Sequence, residues 1–292
     1  MKRNSQSHKG QNGVVAVIGG SLHMHGAPIL SALAAEATGV DLVYPCVPDC
    51  HKEVTKAASN NFIVTSFRGD DLSKSDVSAI EEILSGCDSA VMGPGLATDD
   101  SAQDALQSLV RSATIPLVLD ASALQSWTFE AVSETARSGK VTGRAGVQQE
   151  KIKDSKREVV LTPHLGELSR MQGQILTKKT VDELQDLICT ISGARKVTLV
   201  LKGEMDLIGG PDGTCQRIKG GNAGLTVGGT GDTLAGLIAG LMAQKVPPFE
   251  AAVIAATIVK RAATVLFHEK GYAFMAMDVI GQISHLLHTY EG

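Results

Sequence analysis

Aromatic residues make up only 3% of this chain, with one tryptophan, and neither charge dominates: 27 Lys and Arg stand against 31 Asp and Glu, a formal net charge of −4. A nucleic-acid binder needs a basic face with aromatics for stacking, so that class is excluded. No uninterrupted apolar run reaches the ~20 residues of a bilayer-spanning helix, and no membrane association is expected. The polar opening, Met1 to Gly10, has no apolar stretch behind it. No signal peptide is therefore read, and a cytoplasmic protein is expected. The 5 cysteines, Cys46, Cys50, Cys87, Cys189 and Cys215, are odd in number and scattered, and are expected to be reduced thiols. Cys46, Cys50 and His51 have no second ligand pair at zinc spacing, and Pro45 and Pro48 mark that segment as the exit from a strand. Two nucleotide signatures are also missing. There is no Gly-x-x-x-x-Gly-Lys-Ser/Thr loop, and the first strand exit lacks Gly-x-Gly-x-x-Gly, which weighs against a Rossmann dehydrogenase.

What the chain has is glycine, 31 residues of it, in a sequence that is 43% hydrophobic. Short apolar runs alternate with helical patterns. Strands are expected at Val14–Ile18, Val40–Tyr44, Ser89–Met92, Leu117–Asp120, Val159–Thr162 and Thr198–Lys202. Helices are expected at Ala27–Ala37, Ser75–Leu84, Ser101–Ser112 and Val181–Ser192, with two long ones, Asp232–Gln244 and Phe249–His268, finishing the chain. Unbroken apolar strands between helices predict an α/β fold with a largely parallel central sheet covered on both faces. Ile208 to Thr214 reads as a hairpin turn, so a small antiparallel edge is expected. The length suits one α/β domain over 1–292, with the polar, charge-dense 137–158 read as an excursion loop on it.

In such a sheet, ligands bind beyond the carboxyl ends of the strands. Each polar or glycine-rich motif falls at such an end: Gly19-Gly20-Ser21, Gly93-Pro94-Gly95-Leu96, Asp120-Ala121-Ser122, Thr162 to Glu167, and Lys202-Gly203. The densest stretch, Gly220 to Asp232, runs straight into the apolar segment from Thr233 to Gln244. Gly228, Gly229 and Gly231 around Thr230 let the backbone turn so that its N–H groups converge on an anion at a helix start. Asp232, itself an anion, sits where phosphate would bind. It is either a helix cap or a general base beside a phosphoryl-transfer site.

Taken together, these motifs resemble the ADP/ATP-dependent NAD(P)H-hydrate dehydratases, a branch of the ribokinase-like superfamily. The likeness is carried by His8-Lys9-Gly10, Gly20-Ser21, Gly26-Ala27, Gly93 to Leu96, Leu119 to Ala121, Thr162 to Glu167, Lys202-Gly203, Gly221-Asn222 and Gly228 to Asp232. It runs over about residues 8–285. The last motif, with Leu234-Ala235-Gly236-x-x-Ala239-Gly240 behind it, is its most specific part. Ser122 stands where the family often has aspartate, and Leu165 where it often has proline.

The resemblance implies a ribokinase-like fold and a repair reaction. A nucleotide, ADP or less favourably ATP, phosphorylates the hydroxyl of NADH or NADPH hydrate, phosphate leaves, and the reduced dinucleotide returns. Asp232 would be the base, and Ala27, Gly95, His164 and Asp232 would line the hydrate site. Lys202, Gly203, Glu204, Met205 and Asp206, with Gly228, Gly229, Thr230 and Gly231, would hold the nucleotide, with Mg²⁺ bridging its phosphates. Asn222, Glu167 and Asp120 are further candidates. His164 could equally be a satisfied polar residue at a strand end, and Lys202 is expected to pack its stem and offer backbone groups. A homo-oligomer, such as a tetramer, and an epimerase on a separate chain are implied as well. The rival readings are a kinase of a small sugar or vitamin precursor, which the same fold would carry, and a nucleotide-sensing protein without catalysis.

Overall fold

A computed structural model describes residues 6–133 and 157–290. Nine strands form one sheet in the order β3-β2-β1-β4-β5-β6-β7-β8-β9. These are β1 Val14–Ile18, β2 Leu42–Pro48, β3 Thr65–Phe67, β4 Ser89–Met92, β5 Leu117–Leu119, β6 Val159–Leu161, β7 Thr198–Leu201, β8 Asp206–Gly209 and β9 Cys215–Ile218. β1 to β7 pair in parallel; β8 runs antiparallel to β7, and β9 to β8, as the hairpin signal predicts. β1, β5 and β6 are apolar at every position because alternate residues enter two separate cores. Val14, Ala16 and Ile18 pack on one face, and Val15 and Val17 on the other.

The first face carries α3 Val77–Leu84, α4 Asp100–Ser112, α5 Thr128–Ser133, α6 Leu165–Gln172 and α7 Val181–Arg195; the second carries α1 Gly26–Ala37, α8 Thr230–Ala243, α9 Pro248–Lys270 and α10 Ala276–His288. A short α2, Lys52–Ala58, follows β2. α1 and α8 approach almost backbone to backbone. A Cβ on Gly236 would fall 2.0 Å from Ser31 O, and one on Gly240 would fall 2.5 Å from Thr38 Oγ1. Only glycine fits either place.

Several expectations need correction. The chain does not end on two long helices: α10 follows, burying Val279, Ile280, Ile283 and Leu286 as one stripe. Pro45 and Pro48 lie inside β2, not beyond it. Pro45 is tolerated there because β3 first pairs at Cys46, one residue later. α9, 23 residues long with an 18-residue stretch of mean hydropathy 1.4, is long and apolar enough to cross a membrane, although no such length was expected. More than half of that stretch is buried here, and its apolarity serves the second core. Cys189 and Cys215 are disulfide-bonded, not reduced. They are far apart in sequence, but the packing of α7 against the β8–β9 hairpin brings their Cα atoms to 5.7 Å; Cys46, Cys50 and Cys87 are free. The excursion expected over 137–158 lies outside the described residues apart from Arg157 and Glu158.

Candidate active site

Three neighbouring parallel strands end in polar residues that meet. Asp120 leaves β5, Thr162 leaves β6, and Lys202 leaves β7. Asp120 is 2% exposed, and its Oδ1 accepts hydrogen bonds from Thr162 Oγ1 at 2.8 Å and Lys202 Nζ at 2.7 Å. Glu167 Oε2, in the first turn of α6, lies 3.9 Å from the same ammonium. Burial disfavours the Lys202 charge, but Asp120 and then Glu167 outweigh it, so its pKa is raised. The side chain of Lys202 thus reaches into the site. The expectation was that it would pack its stem and offer backbone groups; its ammonium is held by Asp120 as well.

Asp232 faces this group from α8. Its carboxyl is pushed up to about 6, first by burial and then by the Asp120 charge, with Lys202 partly offsetting both. A carboxylate that ionises just below neutrality is suited to accept a proton there. The cap position of α8 is Gly229, and Asp232 is the third helical residue, its carboxyl bonded to its own backbone N–H. Of the three glycines in the turn, only Gly229 is in the left-handed region, at φ +96°. Gly231 is small for another reason, since a Cβ there would fall 3.3 Å from Lys202 Nζ and 3.9 Å from Asp120 Oδ2.

Two helix N-termini converge here, and they differ in what they leave free. At α6, His164 Nδ1 accepts from the N–H groups of Gly166 and Glu167, and Glu167 Oε2 accepts from His164 N–H. That reciprocal cap takes the N–H groups of His164, Gly166 and Glu167. At α8, the first helical bond runs from Thr233 N–H to Gly229 O, so the N–H groups of Thr230, Gly231 and Asp232 precede it, and the Asp232 carboxyl takes the last of them. An anion is stabilised at such an end.

A cleft of about 1260 Å³ opens beside α8. Lys202 to Asp206, Asn222, Thr230 and Gly231 line it together, with Leu165, Leu184 and Leu225 as an apolar wall. Phosphates suit the first group and a base the second. Burial pushes the Asp206 carboxyl up, with Lys260 partly offsetting it. The structure does not bring every expected residue to the cleft. Gly229 is wedged behind it, where a Cβ would strike Leu30 Cδ1 at 2.3 Å, and Gly228 is exposed with open space around it. Asn222 spends its amide on Ala263 O at 2.7 Å and its carbonyl on Gly224 N–H at 2.9 Å.

On the other side of α8, Gly95 and Ala27 adjoin: a Cβ on Gly95 would lie 3.2 Å from that of Ala27. Ser122 Oγ donates to Leu96 O at 2.6 Å and so ties down the Gly95 loop. His164 is exposed beside Lys202, to which it is joined by an isolated β-bridge. Among the described residues no group of three His, Cys, Asp or Glu is arranged to hold a metal. Asp120 and Glu167 are already turned to Lys202. The donor set therefore fits a Mg²⁺ carried by nucleotide phosphates, not one caged by protein.

Sequence reasoning missed two residues. Ser31 Oγ donates to Asp232 O at 2.9 Å, tying α1 to the start of α8. Lys260 lines the cleft while buried in α9; a lone charge among Ala256, Val259 and Ala263 was its signal.

The family model described as NAD(P)H-hydrate dehydratase matches residues 15–285. The chain belongs to the NAD(P)H-hydrate dehydratase family. Among its relatives in that family is the ADP-dependent (S)-NAD(P)H-hydrate dehydratase of Nitrosopumilus maritimus, 34% identical over 99% of this chain and 93% of that protein. The bifunctional NAD(P)H-hydrate repair enzyme of Hyperthermus butylicus is also 34% identical, but the chain spans only 50% of its length. The Bacillus subtilis ADP/ATP-dependent NAD(P)H-hydrate dehydratase, co-crystallized with ATP and Mg²⁺, superposes with a TM-score of 0.75 at 26% identity, covering 99% of this chain and 94% of that one. A ribokinase-like superfamily protein from Enterococcus faecalis has a TM-score of 0.77 at 24% identity, covering 99% and 91%, and shares the fold. The NAD(P)H-hydrate dehydratase family fold, here as there, is ribokinase-like.

Proposed function

We propose that the chain, as one ribokinase-like domain, regenerates NADH and NADPH from their hydrates with ADP as the phosphoryl donor. The observation that carries this reading is Asp232: a carboxyl pushed up to about 6 at the open N-terminus of α8, facing Lys202. The names of the ADP-dependent relatives support the donor and the substrate.

Asp232 takes the proton from the hydrate hydroxyl as that oxygen attacks the terminal phosphorus of ADP, and AMP departs. The N–H groups of Thr230 and Gly231, with the Lys202 ammonium, hold the transferring oxygens. Mg²⁺ on the phosphates, when bound, would neutralise part of their charge. The lone pair of the ring nitrogen then expels phosphate from the adjacent carbon, and loss of a ring proton restores the double bond. The products are reduced dinucleotide, AMP, phosphate and a proton. Ala27 and Gly95 leave room for the ring, and His164 offers its Nε2–H, because Nδ1 is engaged as an acceptor.

A separate epimerase that interconverts the hydrates, a homo-oligomeric state and a cytoplasmic location are part of this proposal. Relatives about twice as long, named as bifunctional repair enzymes, support the companion activity. The test incubates the protein with NADH hydrate, Mg²⁺ and ADP or ATP, following NADH absorbance, AMP and phosphate. Equal release of the three with ADP is expected. A stable phosphorylated product in parallel incubations with a sugar or a hydroxymethylpyrimidine, with no response to the hydrate, would establish the kinase reading instead.

A further inference from the structure

Lys260 is 4% exposed in the middle of α9, where a free ammonium would be costly. Its Nζ donates to Gly203 O at 3.1 Å and Glu204 O at 3.0 Å, and lies 3.4 Å from Asp206 Oδ2. Asp206 Oδ1 in turn accepts from Gly203 N–H at 2.9 Å. One buried cation therefore holds the whole turn between β7 and β8. Its stem serves a second loop as well: a Cβ on Gly221 would lie 3.3 Å from Lys260 Cγ and 3.5 Å from its Cβ. Gly220 and Gly221, both at positive φ, close over that stem. The two loops that Lys260 joins both line the 1260 Å³ cleft.

The direction of the carbonyls has a consequence for the amides. In a trans peptide the C=O and the following N–H point opposite ways. Because the Gly203 and Glu204 carbonyls point at Lys260, the N–H groups of Glu204 and Met205 point away from it, toward the open side of the turn. We infer that Lys260 is a positioning residue for the nucleotide: it sets the 203–206 turn so that those amides face the phosphates of a nucleoside di- or triphosphate, without touching the ligand through its own charge. This rests on the proposed use of a nucleotide at the cleft.

The test is calorimetric titration with ADP and Mg²⁺, plus steady-state kinetics, on the full chain and on Lys260→Met and Lys260→Gln. For Lys260→Met, Kd and KM for ADP are expected to rise about tenfold, while KM for the hydrate stays within about twofold. Lys260→Gln keeps donors for the carbonyls and should recover part of the loss. ADP binding by Lys260→Met within about twofold of wild type would overturn the inference, as would an equal rise in both KM values, the mark of general loosening. Should Lys260→Met fail to fold, Lys260→Met with Asp206→Asn removes the orphaned carboxylate, and Asp206→Asn alone is its reference. A further loss of about tenfold in ADP affinity supports the role, and equal affinity overturns it. Wild-type protein that binds neither ADP nor ATP would sink the functional reading and this inference together. Wild-type turnover with an indifferent Lys260→Met sinks only this one.

Discussion

Replacing Asp232 by Asn should make the protein more stable and nearly inactive. The carboxyl rises from 3.8 to about 6, chiefly by burial. Holding it ionised in the fold therefore costs up to about 3 kcal/mol, or ~2 after allowing for its partial exposure. The sign follows from the raised value. Below 3.8 the group is neutral in both folded and unfolded chains and costs nothing; the cost grows as pH rises and is complete above about 6. Asparagine never carries the charge. Urea unfolding should show the Asp232→Asn gain fully at pH 8 and reduced to about half at pH 5. The same variant loses the base, and kcat should fall by about 10²–10⁴. In the wild type, kcat/KM should rise with pH through about 6. A stability difference that is the same at both pH values would refute the burial argument. A near-normal kcat would refute the role of base.

Lys202→Met removes the cation that lowers the Asp232 pKa, so the ascending limb of the pH–rate profile should move to higher pH. It also orphans the buried Asp120, which should cost about 3 kcal/mol in a urea melt. Gly229→Ala forces a side chain onto φ +96° and against Leu30, and should destabilise by roughly 2–4 kcal/mol, seen as a lower urea midpoint. Thiol titration under denaturing, non-reducing conditions should count three free cysteines. Reductant should then expose two more and lower stability by about 3 kcal/mol, from the closed loop with its separation of 26.

The parallel core was legible because Val14–Ile18 and its counterparts are apolar on both faces, a pattern few other folds require. Strand ends were legible to within a residue or two where glycine or aspartate closes them, as at Met92 and Leu119. β2 was misplaced because its prolines read as an exit. Such residues are tolerated inside a strand when the neighbouring strand starts late, which is a tertiary fact. α10 was missed because its stripe needs α1 and α9 to define the buried side. At the site, the motifs located Asp120, Glu167, Lys202 and Asp232, but not which of them touch. The Lys202–Asp120 pair joins residues 82 apart, and only the strand order β5-β6-β7 makes them neighbours. The same limit hid the disulfide. It also hid the contrast between Gly229, which must bend, and Gly231, which must only be small.

The glycine contacts between α1 and α8 bear on motion. With Gly236 and Gly240 pressed to the backbone of α1, and Ser31 hydrogen-bonded to Asp232 O, neither helix can slide or tilt without the other. Ala27 stands at the start of one and Asp232 at the start of the other. The proposed hydrate wall and the proposed base therefore travel as one rigid block, and their separation is fixed before any substrate arrives.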